Sequence, residues 1–128
     1  VDKNIIDLLK SHKNIRMTGP QKNVPLYLSL MDVFVLPSWG EGFGNVMIEA
    51  AAMGVPVIGT DATGIRDSML HNFNGIMIAP NSADLLENAM LQLYKNGEMR
   101  EKFAKNGLNW AANFGNLVIW RGIEEIYN

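Results

Sequence analysis

Three short stretches, Val33 to Leu36, Pro56 to Gly59 and Gly75 to Ala79, are apolar without the polar alternation of a half-exposed strand. Strands buried on both faces of a parallel sheet read this way. Ile15 to Thr18 is a fourth stretch of the same kind, and the segments between them, Val24 to Met31, Asn45 to Met53 and Gly64 to Leu70, have the length of helices. Strand and helix therefore alternate, which predicts an α/β fold with a Rossmann-like, doubly wound parallel sheet and flanking helices. Past Ala79 the period lengthens. Ser82 is placed to N-cap a helix over Ala83 to Lys95, whose apolar face is Leu85, Leu86, Ala89, Met90 and Leu93. Asn96-Gly97 ends it, and two more C-terminal helices are predicted over Glu98 to Ala112 and Asn116 to Tyr127, separated by Asn113-Phe114-Gly115. With no repeat, low-complexity tract or linker, residues 1–128 read as a single domain.

In an open parallel sheet, ligands bind beyond the carboxyl ends of the strands. That singles out Pro37 to Gly44, Thr60 to Thr63 and Pro80-Asn81. The first loop holds three glycines and Glu41 and runs into a helix. There Gly42 and Gly44 let the backbone approach an anion at the helix N-terminus, although turns of this type also serve plain packing. The helix that follows is apolar on nearly every side, and Glu49 in its second turn is its one charge. A carboxylate on a buried helix is costly without hydrogen bonds, so Glu49 is expected to face the crevice, where its two oxygens suit a pair of ribose hydroxyls. Asn45 lies one turn earlier on the same face.

The 48% hydrophobic content supports one ordinary core, and the absence of cysteine removes disulfides, thiolate metal sites and cysteine nucleophiles from consideration. No apolar run has the length of a bilayer span, which together with the cysteine-free composition points to the cytoplasm. A net charge of −2 argues against nucleic acid as a partner. The distribution is more informative: residues 1–24 carry five Lys or Arg against two Asp, whereas residues 25–94 carry seven acids and only Arg66. An anion bound in the middle of the chain therefore has to rely on backbone N–H groups and a helix dipole, or on cations from elsewhere.

Pro37-Ser38-x-x-Glu41-Gly42-Phe43-Gly44, Glu49 after a spacing of seven, Ala50-x-x-x-Gly54-x-Pro56-Val57 and Gly64-Ile65-Arg66-Asp67 occur here in order. Together they resemble the C-terminal, nucleotide-sugar-binding domain of glycosyltransferase family four, the retaining group with the GT-B fold. The likeness runs from about Asn14 to Tyr127 and takes in the Asn74-Gly75 turn. It implies that Glu41 lies against the donor sugar as the catalytic-site acid. Gly42, Phe43, Gly44, Asn45 and Val46 would meet the sugar and diphosphate, Glu49 would hold the ribose, and Gly19, Pro20 and Gln21 would lie along the base. It also implies a nucleotide sugar as substrate, with a UDP-sugar expected, and no cofactor and no metal. The reaction would be sugar transfer to a hydroxyl on a lipid-linked or saccharide acceptor. The loop from Asp61 to Asp67 is similar to loops of bacterial enzymes that build capsule, O-antigen and other surface polysaccharides, which suggests work at the inner face of the membrane.

The same resemblance sets a limit. The family's Arg and Lys that neutralise the leaving diphosphate precede the region matched here, and none of Lys3, Lys10, Lys13, Arg16 or Lys22 stands in the matching context. The chain is accordingly expected to be cut short at its N-terminus, to lack the partner Rossmann-like domain, and to be inactive in isolation. An epimerase or phosphorylase on the same architecture and a stand-alone nucleotide-binding module are the rival readings. Residue by residue, Trp39 and Phe43 serve equally as packing covers for the loop, and Asp61, Thr63 and Gly64 as a turn and cap. His12 and His71 read as surface residues, the methionines as core filling, and Lys95, Arg100, Lys102 and Lys105 as a solvated helix face.

Overall fold

The computed structural model describes residues 4, 7, 11–15, 24–37 and 44–114. Within them the elements are α1 (Val24–Ser29), β1 (Phe34–Leu36), α2 (Gly44–Ala52), β2 (Val57–Thr60), β3 (Gly75–Ile78), α3 (Ala83–Lys95) and α4 (Gly97–Ala112). The strands form one sheet in the order β1-β2-β3, all parallel, with Phe34 beside Val57 and Val57 beside Gly75. The three apolar runs thus become strands within a residue or two of their expected bounds. The Ile15 to Thr18 stretch falls, beyond Ile15, outside the described residues, as does the expected helix from Asn116 to Tyr127.

Because successive side chains of a strand point to opposite faces, the sheet feeds two apolar clusters. On one face Val57 packs with Leu28 of α1, Met47 and Ala50 of α2, and Ile65 and Met69, with Phe34, Leu36 and Met77 against them. On the other, Ile58, Ile76 and Ile78 meet Ala89 and Leu93 of α3 and Phe103 of α4, flanked by Val33 and Val35. Close approach is demanded at two glycines. A Cβ on Gly75 would lie 2.0 Å from the Val57 carbonyl oxygen, and one on Gly59 would meet Ile65 and Met47 at 2.8 Å.

The helix ends follow from local chemistry. Gly54, at φ 72°, terminates α2: its N–H donates to Ala51 O and the N–H of Val55 to Ala50 O, a Schellman closure. Pro56 then directs the chain into β2. The Ser82 hydroxyl caps α3 by accepting from the N–H of Leu85, as its position predicted. Asn96 both ends α3 and caps α4, its side-chain oxygen accepting from the N–H of Met99, so that α4 starts at Gly97. On α3, Ala89 and Leu93 are buried, whereas Leu85 and Met90 of the expected apolar face are exposed.

Two expectations need correcting. Gly64 to Leu70 is a chain of turns and no helix: the N–H groups of Ile65 and Arg66 both converge on Ala62 O, Ser68 donates to Ile65 O, and Gly64 sits at φ 87°. A left-handed residue there breaks the ladder, while Ile65 and Met69, four apart, still reach one core. Arg100 is not simply solvated either. Its guanidinium donates to the carbonyls of Leu93 and Tyr94, closing the C-terminus of α3 from the neighbouring helix.

Gly75→Ala is expected to cost about 3 kcal/mol or more, because the obstacle is backbone. Gly97→Ala, whose Cβ would meet only Arg100 Nη2 at the ordinary contact distance of 3.4 Å, is expected to gain about 0.5–1 kcal/mol. Urea unfolding monitored by circular dichroism measures both, and equal midpoints for the two variants would contradict the tight β2–β3 approach.

Candidate functional site

Parallel pairing brings the carboxyl ends of the three strands to one edge, and the connections leaving that edge begin at Pro37, Asp61 and Ala79. The N–H of Asp61 donates to Ile78 O at 2.7 Å, carrying the β2–β3 ladder one residue past Thr60. Beyond the strand ends lies a cavity of about 320 Å³ lined by Pro37, Thr60, Ile78, Pro80, Asn81 and Ser82. Asn81 holds the left-handed conformation at φ 64°, turning the chain from β3 into α3, whose first turn adjoins the cavity through Ser82.

The helix α2 starts at Gly44 on the same edge. Its apolar composition is explained by burial: Met47, Ile48, Ala50 and Ala51 are buried, Val46 and Glu49 are half-buried, and Asn45 is exposed. Asn45 and Glu49, one turn apart, therefore share a face directed away from the core. Glu41, Gly42 and Phe43, with Trp39, lie outside the described residues, as do Gly19, Pro20 and Gln21. Of the residues predicted from sequence, the structure brings together Gly44, Asn45, Val46 and Glu49 on one helix.

Beside this helix runs the connection from Asp61. Ile65 and Met47 meet above Gly59, which sets the loop against the first half of α2. At the loop's outer side Arg66 Nε lies 3.1 Å from Asp61 Oδ1, with both side chains about half exposed, at 52% and 57%. A pair this open to water contributes only about 0–1 kcal/mol. Among the described residues no three His, Asp or Glu side chains cluster as a cation site, and no helix is long and apolar enough to cross a membrane.

Several hydrogen bonds outside the regular elements, most of them in the connection from β2 to β3, were not visible in the sequence. Trp110 Nε1 donates to Ser68 O at 2.9 Å and Asn106 Nδ2 to Phe73 O at 2.8 Å, so α4 clamps the connection between β2 and β3. The buried Asn74 accepts from the N–H of Leu70. His71, a surface residue as expected, accepts from the N–H of Met77 through Nδ1, and exposed His12 accepts from the N–H of Asn14. These bonds join residues whose spacing carries no periodic signal. Asn106 and Trp110 are 33 and 42 positions from their acceptors.

Residues 2–110 match the family described as Glycosyl transferases group 1. The chain is 36% identical, over 77% of its length, to the capsular polysaccharide biosynthesis glycosyltransferase CapM of Staphylococcus aureus, of which it covers 26%. It is 30% identical over 83% of its length to a UDP-Gal:alpha-D-GlcNAc-diphosphoundecaprenol alpha-1,3-galactosyltransferase of Escherichia coli, covering 27% of that protein. Among solved structures, sucrose-phosphate synthase of Thermosynechococcus elongatus superposes with a TM-score of 0.80 and 26% identity over 97% of this chain and 33% of its own. The C-terminal domain of the group 1 glycosyl transferase LpcC of Francisella tularensis gives a TM-score of 0.67 and 26% identity over 77% of this chain and 51% of its own. The chain thus spans about a quarter of the length of each of these two curated relatives.

Replacing Trp110 by Phe keeps a ring and removes the N–H, leaving the Ser68 carbonyl without that donor. The expected loss is about 1–3 kcal/mol, with faster amide hydrogen exchange concentrated between residues 62 and 70. Unchanged exchange in that segment would show that α4 does not hold the loop.

Proposed function

Because this chain belongs to the glycosyl transferase group 1 family, we propose that it is the donor-binding domain of a retaining transferase that moves a sugar from a nucleotide diphosphate sugar, a UDP-sugar, to a hydroxyl. The observation that carries the reading is the polar face of α2: Asn45 and Glu49 stand on a helix whose other sides are apolar and buried, at the carboxyl edge of the sheet. A carboxylate retained there at the cost of core burial suits a ligand that offers paired hydroxyl donors, as a ribose does. The start of α2 at Gly44 provides backbone N–H groups and a positive dipole end for the diphosphate. Glu41, Gly42 and Phe43, which the chain must traverse between Pro37 and Gly44, are assigned to the sugar side, and Gly19, Pro20 and Gln21 to the base.

In this reading the acceptor hydroxyl attacks on the face from which the diphosphate leaves, and the diphosphate takes the proton. The dipole at the head of α2 is worth most as charge develops on the leaving group. No metal and no cofactor is required by these steps. We assign the further cations and the acceptor site to a second Rossmann-like domain; the support is the acidic balance of residues 25–94 and the chain's covering 26% of the length of the Staphylococcus aureus relative. We assign the parent enzyme to bacterial surface polysaccharide synthesis, at the inner face of the membrane. The support is the capsular and diphosphoundecaprenol-linked activities in the names of the two curated relatives. The 128 residues by themselves are expected to bind donor and not to transfer it.

Titration calorimetry with UDP tests the ribose role. Glu49→Gln keeps the size and removes the charge-assisted acceptor, so affinity should fall about 10- to 100-fold. Equal affinity of the variant and the wild type would remove Glu49 from the site.

A further inference from the structure

Arg66 is the one Lys or Arg among residues 25–94, against seven acids, and the fold returns it to the carboxyl end of β2. The chain leaves β2 at Thr60, turns through Gly64 at φ 87°, and folds back so that Ala62 O accepts from both the Ile65 and Arg66 N–H groups. The Arg66 guanidinium then reaches the Asp61 carboxylate through Nε and the Asp61 carbonyl, at 3.4 Å, through Nη2. The loop does not need that pair to keep its shape: Ile65, Ser68 and Met69 are buried, and Trp110 holds the Ser68 carbonyl. Ile65, next to Arg66, meets Met47 of α2 over Gly59, which puts the loop alongside the helix that carries Asn45 and Glu49.

We propose that Arg66 is an anion-reading residue of the donor site that exchanges Asp61 for an oxyanion of the bound nucleotide sugar. The inference rests on the donor-binding reading above and adds to it the cation that the middle of the chain otherwise lacks. An Arg fork matches the geometry of a diphosphate or carboxylate with two parallel N–H donors, and a half-exposed ion pair is readily exchanged. In the absence of donor, Asp61 keeps the guanidinium at the strand end and neutralises it. With donor bound, Asp61 is a competitor. The oxyanion comes from one of two sources, the diphosphate bridge or a carboxylate on the sugar.

Calorimetry on the full chain with uridine, UDP, UDP-glucose and UDP-glucuronate tests this and separates the sources. If the diphosphate is read, Arg66→Gln weakens UDP and both UDP-sugars at least 5-fold and leaves uridine unchanged. If a sugar carboxylate is read, only UDP-glucuronate loses affinity. In either case Asp61→Asn tightens the affected ligands. Arg66→Gln without effect on any ligand, an equal loss for uridine and UDP, or weaker binding in Asp61→Asn would overturn the proposal and leave the donor site standing. A wild-type chain that binds none of the four would overturn the donor site itself.

Discussion

At Gly75 the backbone of β3 closes on Val57 of β2 so tightly that a Cβ there would stand 2.0 Å from a carbonyl oxygen. This approach joins two strands whose side chains are buried almost throughout, and the other layers are built on it. Val57 and Ile58, adjacent in sequence, anchor the two apolar clusters on opposite faces of the sheet. Parallel pairing in turn obliges every connection to cross back over the sheet, which gathers the strand ends and their loops at one edge. The cavity, the start of α2 and the Asp61 loop are neighbours for that reason.

The edge is shaped by a second constraint, the burial of one side of α2. Gly107 of α4 comes so close that a Cβ there would touch Ala51, and Gly59 leaves room for Met47 and Ile65 to meet beneath the helix. Small residues on both sides draw α2 inward and leave Asn45, Val46 and Glu49 as its outward face. Polar groups on such a helix are confined to the line where a ligand can reach them, so position and chemistry are coupled by packing.

Much of this was legible in the residues. Unalternated apolar runs located β1, β2 and β3, and Ser82 located the start of α3. The segment from Gly64 to Leu70 misled, because Ile65 and Met69 have helical spacing while Gly64 turns the backbone left-handed. The apolar spacing of α3 likewise overstated its buried face, since Leu85 and Met90 remain exposed.

What the sequence by itself determined was the alternation of elements, the cap of α3, and the clustering of glycines and carboxylates between Gly40 and Glu49. These are local properties, carried by backbone preferences and by periods of two and 3.6 residues. Only the tertiary structure decided that Arg66 folds back onto Asp61, that Arg100 closes α3, and that Asn106 and Trp110 brace the connection entering β3. Those contacts join donors and acceptors brought together by turns and by packing between separate elements. Their partners are chosen by proximity in space, which no pattern along the chain encodes.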